Sequence, residues 1–192
     1  MVFIDGSNIY HALLDNLGTT KIHYGRLAEV LASDGELVMA YYYDTSNRPN
    51  DYTMTAKKHQ RFLEWIRHLP KMTLRLGRLK MKSRKCHECK QVVQVPVEKK
   101  VDVMIATDML KAAYDDQADI LILVSGDNDF TYTVEEIKRR FEGIKVDVAC
   151  FRSSLSNELR SVADKVRFLD NLNLLESCPR KSLSELVPSR KS

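Results

Sequence analysis

Residues 120–130, ILILVSGDNDF, constrain this chain more than any other stretch. Five branched apolar residues stand in a row, Ile120, Leu121, Ile122, Leu123 and Val124. A run without polar alternation reads as a strand buried on both faces, as in the centre of a parallel sheet. It stops at Ser125 and Gly126, where glycine permits a sharp turn, and then presents Asp127 and Asp129. A helix expected over residues 128–141 puts both carboxylates where a strand ends and a helix begins. Open α/β sheets bind ligands at that edge. Two acidic groups there repel each other unless a cation or a shared proton intervenes. The first strand ends in the same way: Val2, Phe3 and Ile4, then Asp5, Gly6, Ser7 and Asn8. The two strand ends are expected to meet and to hold a metal.

The remaining periodicities fill in an α/β chain. Residues 2–5 and 36–43 read as strands, and helices are expected over 8–16, 24–32 and from about 51 to 68, the first capped by Ser7. Residues 45–51 carry Asn, Pro and Asp and form a loop. Two partly alternating arms, 72–81 and 91–97, flank SRKCHECK and predict an inserted hairpin over about 72–98. Residues 101–114 read as a helix, 144–151 as a strand, 155–163 as a helix and 166–169 as a short edge strand. Strands alternating with helices predict a mostly parallel sheet covered on both faces. From Ser177 to Ser192 the chain is rich in Pro, Ser, Lys and Arg, and a flexible tail is expected.

A length of 192 residues suits one domain with a small insertion and a tail. No apolar run approaches the roughly 18 to 20 residues of a membrane span. The start, MVFIDGSN, lacks the basic n-region of a signal peptide. Four cysteines, Cys86, Cys89, Cys150 and Cys178, are too few and too scattered for a disulfide framework, so a reducing cytoplasm is expected. The net charge of +4 is uneven: residues 75–100 hold nine basic side chains against Glu88 and Glu98. A basic segment beside an acidic cleft suits a polyanion. Lys80, Lys82, Arg84, Lys99 and Lys100 are the expected substrate-binding residues, the alternative being a solvated hairpin with snorkelling lysines.

Four carboxylates stand out by position. Asp5, Asp127 and Asp129 follow strands, and Asp102 opens the 101–114 helix directly after Lys99 and Lys100. Carboxylates and water are what Mg²⁺ or Mn²⁺ prefer, and such a cation supports attack on a phosphodiester. Asn8 is placed to orient water or phosphate. Asp108, six residues past Asp102, is about 240° around the helix and faces elsewhere. The bland alternative is that these residues are turn and cap formers. GxGxxG, GxxxxGK[ST] and GxSxG are absent, which leaves dinucleotide binding, P-loop hydrolysis and a serine hydrolase elbow unsupported. Cys86-His-Glu-Cys89 has the form of half a zinc knuckle. It would need further ligands, from His87 or across a homodimer; a redox pair and a metal-free turn are the other readings. Tyr41, Tyr42 and Tyr43 are mostly core, with one or two able to stack on bases. His11, His23, His59 and His68 show no partner spacing.

VFIDGSNIY, KKVDVMIATDML and ILVSGDNDF, in that order, resemble the three signatures of the NYN domain family, in particular its LabA-like bacterial and archaeal branch, within the PIN-like nuclease group. The resemblance covers residues 1–170. It implies a PIN-like, Rossmann-like three-layer α/β sandwich with a mostly parallel sheet. It also implies a metal-dependent ribonuclease site with Asp5, Asp102 and Asp127 as metal ligands, Asp129 beside them and Asn8 assisting. The chain departs from the family pattern at Lys100, where glycine is usual, and in the longer link FEGIKV. The expected activity is metal-dependent endonucleolytic hydrolysis of RNA, with Asp129 ligating a second cation or positioning water. A non-catalytic RNA-binding or regulatory module and a small phosphohydrolase or nucleotidase are the alternatives.

Overall fold

Alternation within the strands sorts side chains onto two faces. Val2 and Ile4 enter one hydrophobic core and Phe3 the other; Ile122 and Val124 join the first, Leu121 and Leu123 the second. In the computed structural model, residues 1–45, 54–85 and 88–179 are described, with the backbone alone at 79–81 and 93–99. The strands are β1 (Val2–Asp5), β2 (Ala40–Thr45), β3 (Met72–Lys85), β4 (Val92–Lys99), β5 (Ile120–Val124), β6 (Lys145–Cys150) and β7 (Lys165–Phe168). The helices are α1 (Gly6–Leu17), α2 (Tyr24–Leu31), α3 (Met54–Arg67), α4 (Val101–Tyr114), α5 (Thr131–Arg140), α6 (Asn157–Val162) and α7 (Leu174–Ser177). A 3-10 turn at Asn128–Phe130 joins β5 to α5.

The sheet order is β4-β3-β2-β1-β5-β6-β7. All pairings are parallel except β3 with β4. Helices α1, α2, α3 and α7 supply the core on one face, and α4, α5 and α6 the core on the other. This is the α/β three-layer arrangement expected from the sequence. Each fully buried Val, Leu or Ile in these strands contributes roughly 1.5–3 kcal/mol through loss of water contact. Because β1 lies between β2 and β5, the chain leaves it toward one side of the sheet and later returns on the other. The C-terminal ends of β1 and β5 therefore diverge at a topological switch point, where open sheets leave a crevice.

Several local expectations are corrected. Asp5, not Ser7, caps α1, accepting from the Asn8 N–H at 3.1 Å. Residues 36–39 are not strand: β2 begins at Ala40, in register with Val2, the first residue of β1, and the Met39 carbonyl just ahead of it accepts from the Val2 N–H at 3.0 Å. The first half of β3 is not part of an insertion, since Met72 through Gly77 pair with β2; only the segment from Arg78 to Lys85 pairs with β4 as a projecting hairpin. Residues 177–179 do not belong to the flexible tail expected from Ser177 on. Leu174 and Cys178 are buried, the His23 N–H donates to the Cys178 carbonyl at 2.8 Å, and Pro179 bridges to Ile22. The rest of the expected tail, 180–192, lies outside the described residues. Among the described residues no helix is long and apolar enough to cross a membrane.

Candidate active site

Asp5 is the last residue of β1 and only 4% exposed. Its Oδ1 accepts from the Asn8 N–H at 3.1 Å and its Oδ2 from the Ser125 hydroxyl at 3.1 Å. Burial pushes its carboxyl up to about 6; those two hydrogen bonds oppose the rise, and the charges of Asp102 and Asp127 add to it. Ser125, directly after β5, also accepts from the Asp127 N–H at 3.3 Å. One buried hydroxyl thus links the two strand ends. Asp127 is half-buried and caps the 3-10 turn, its Oδ1 accepting from the Asp129 N–H at 3.1 Å.

These groups edge an open cleft of about 530 Å³, lined by Asp5, Ser7, Asn8, His11, Asp15, Asp102 and Asp127 among others. Asp102, in the first turn of α4, stands exposed at its rim. Partial desolvation, then the charges of Asp127 and Asp129, raise the Asp102 carboxyl. Gly126 keeps the floor tight. A Cβ there would run into the Ser154 carbonyl, and the Gly126 carbonyl accepts from the Ser156 N–H at 3.0 Å.

The structure brings Asp5, Asn8, Asp102 and Asp127 to one cleft. Asp129 is exposed on the 3-10 turn and does not line the wall. Among the described residues, no three His, Cys, Asp or Glu side chains stand close enough to enclose an ion. Asn8 does something not foreseen: its side-chain oxygen accepts from the Gly126 N–H at 3.2 Å and ties α1 to the β5 turn. Asp108 lies away from the cleft, accepting from the Tyr43 hydroxyl at 2.9 Å and pairing with Arg75 at 3.5 Å. Arg75 also lies over the Tyr41 ring, so its charge serves the fold.

Sequence reading missed Ser125, His11 and Asp15. For the last two a signal was present. Asn8, His11, Ala12, Asp15 and Asn16 follow helical spacing on α1, beside the apolar positions Ile9 and Leu13, and all five line the cleft. His59, for which the sequence shows no partner spacing, sits 3.1 Å from Asp44. His23 caps α2, accepting from the Arg26 N–H at 3.2 Å.

The basic residues divide. Lys82 and Arg84 are exposed on β3 and share one face with Arg78 by strand alternation. Lys80 and Lys99 lie in β3 and β4, where the backbone alone is described. Lys100 is exposed between the hairpin and Asp102, with a left-handed φ of 79°. That backbone conformation is one glycine adopts more readily than lysine. Of the zinc-knuckle residues, Cys86 and His87 lie outside the described residues, and Cys89 is exposed. Cys150 and Cys178 are buried, and burial pushes both thiols up to about 11, which makes them inert packing groups.

Among curated proteins none matches this chain. A crystal structure of a protein of unknown function from Vibrio parahaemolyticus is similar, with a TM-score of 0.64 and 25% identity over 88% of this chain and 91% of that one. The NYN domain family matches residues 1–172. The chain therefore belongs to the NYN domain family, a PIN-like domain of nuclease type.

Proposed function

We propose that this protein is a ribonuclease of the LabA-like kind that hydrolyses RNA with the help of a divalent cation. The observation that carries the reading is the environment of Asp5. It is a carboxylate buried at the switch point whose partners, among the described residues, are hydrogen-bond donors and further carboxylates rather than a cation. A buried charge left in that state favours a bound cation. The donor set is made of oxygen, which suits Mg²⁺ or Mn²⁺ rather than a thiolate-loving metal. Asp5, Asp102 and Asp127, which do not by themselves enclose an ion, would hold it through intervening waters, as Mg²⁺ tolerates. When bound, the cation offsets negative charge on the phosphodiester as it reacts.

The chain's own residues do the rest. Ser125 fixes the Asp5 carboxylate and the Asp127 backbone relative to each other. Asn8 holds the two strand ends in register through Gly126. Asp129, exposed beside Asp127, orders water at the rim. Lys82, Arg84 and Lys100, with Lys80 and Lys99 on the same hairpin, draw in the phosphate backbone by charge.

Incubation of a mixed RNA pool with Mg²⁺, Mn²⁺ or EDTA tests the reading. Cleavage is expected with either cation and not in EDTA. Asp127→Asn, folded by circular dichroism, is expected to lose about 100-fold or more, the scale of removing one electrostatic group from a reacting centre. Wild-type cleavage by that variant removes the assignment. A second reading, an RNA-binding module without turnover, draws on the spread of the carboxylates, no three of which enclose an ion among the described residues. It predicts salt-sensitive RNA binding and no cleavage under any of these conditions.

A further inference from the structure

A second cavity of about 510 Å³ opens beside the acidic cleft, at the ends of β1 and β2 and against α3. Ser7 and His11 line both, so the two adjoin around the first turns of α1. The tyrosine and phenylalanine rings Tyr10, Tyr24, Tyr42 and Phe62 bound it, and the titratable side chains of Asp44, Lys58 and His59 line it with them. Tyr42 is buried and Phe62 half-buried. His59 Nε2 lies 3.1 Å from Asp44 Oδ2, and its ring runs within 17° of the Phe62 plane. Tyr10 stands edge-on to His11 at 5.4 Å and is 47% exposed.

The chemistry of this wall is specific. Ring faces answer a flat π-system, and the His59–Asp44 pair with Lys58 answers a polar edge and a nearby anion. The volume lies in the range of small-ligand sites. A base inside a duplex is stacked and paired, whereas an unpaired base can be splayed into such a cavity.

We propose that this cavity is a nucleobase subsite, receiving the unpaired base of the nucleotide next to the one held at the acidic cleft of a single-stranded RNA. The assignment rests on the ribonuclease reading for the path of the strand. Tyr10 is the stacking surface, His59 and Asp44 contact the base edge, and Lys58 meets the adjoining phosphate.

The test is binding of a short fluorescein-labelled single-stranded RNA to the full chain in EDTA, followed by anisotropy. A strand of equal length carrying abasic riboses is compared in parallel. Tyr10 is exposed, so Tyr10→Ala is expected to fold; circular dichroism checks it. The variant should bind the base-bearing strand about ten-fold more weakly, the effect of losing one base–aromatic stack, and the abasic strand as wild type does. Equal affinities of variant and wild type for the base-bearing strand overturn the subsite. So does an equal loss on both strands. Competition by free mononucleotides at the concentrations at which the strand binds overturns the strand assignment in favour of a free nucleotide. Cleavage with Mg²⁺ is scored separately. Intact base-dependent binding without cleavage sinks the ribonuclease reading, whereas cleavage with no effect of Tyr10→Ala on binding sinks the subsite alone.

Discussion

Asp5 and Asp147 are both aspartates on central strands, 4% and 3% exposed, and they have been treated oppositely by the fold. Asp147, on β6, is met by Arg167 of β7, whose Nε and Nη2 donate to one carboxylate oxygen at 2.9 and 2.7 Å. Arg167 reaches on to Asp34 at 2.8 Å, where Lys165 joins. That carboxylate has its cation built in. Asp5 has a backbone N–H, a serine hydroxyl and two more carboxylates. The first arrangement is complete within the chain; the second has no counter-charge among the partners that set its carboxyl. Burial of an acid is thus no guide to function by itself, whereas burial without a counter-charge is.

Arg167 is where the contrast between the two aspartates is most open to test. Arg167→Met leaves Asp147 buried and unpaired, which should cost about 3–5 kcal/mol in urea unfolding. The double variant with Asp147→Leu should recover most of that loss, because an apolar pair of similar volume is often no less stable than a buried ion pair. A loss of under about 1 kcal/mol for Arg167→Met would show that Asp147 does not need its cation, and the contrast with Asp5 would fail.

Asp5 should respond with the opposite sign. A carboxyl raised from 3.8 to about 6 binds its proton more tightly folded than unfolded. Wild-type stability in EDTA therefore carries no penalty from this group below about pH 4. It falls as pH rises from 4 through 6, and above that the full penalty of up to about 3 kcal/mol remains. Asp5→Asn should be more stable than wild type at pH 7 by up to that amount and indistinguishable at pH 3.5. Mg²⁺ should raise the wild-type Tm at pH 7 and leave that of Asp5→Asn unchanged. A variant destabilised at pH 7 in EDTA would place Asp5 with Asp147 as a structural acid.

What the sequence makes legible follows from which interactions are local. The run from Ile120 to Val124 announces a buried parallel strand because no polar residue interrupts it, and the acids after β1 and β5 stand at fixed offsets from their strands. The α/β alternation carries the fold class. Pairing is not local. Residues 36–39 have the composition of a strand, but the register paired with β1 starts at Ala40, opposite the first residue of β1. Cys178 and Leu174 sit at the edge of a polar segment, whose average composition hides two buried side chains. Ser125 looks like a turn residue until Asp5 is seen to share its hydroxyl across 120 positions of sequence. Asp44 lies on β2 and His59 on α3, so no spacing rule connects them.

Lys100 offers a similar contrast on a smaller scale, because two residues before Asp102 the chain keeps a side chain in an unfavourable conformation. A lysine at a φ of 79° has its Cβ crowded against the backbone, which costs roughly 1–2 kcal/mol. Glycine would relieve that crowding while losing about 0.5–1 kcal/mol to greater freedom when unfolded. Lys100→Gly should therefore gain about 0.5–1 kcal/mol in urea unfolding. If the strain is retained because the ammonium meets phosphate two residues before Asp102, the same variant should bind single-stranded RNA more weakly in EDTA. Its log-log salt slope should also be shallower by about one. A variant that gains stability and keeps both affinity and slope would show that Lys100 is only a residue in a position better suited to glycine, and the hairpin's contribution would then rest on Lys82 and Arg84.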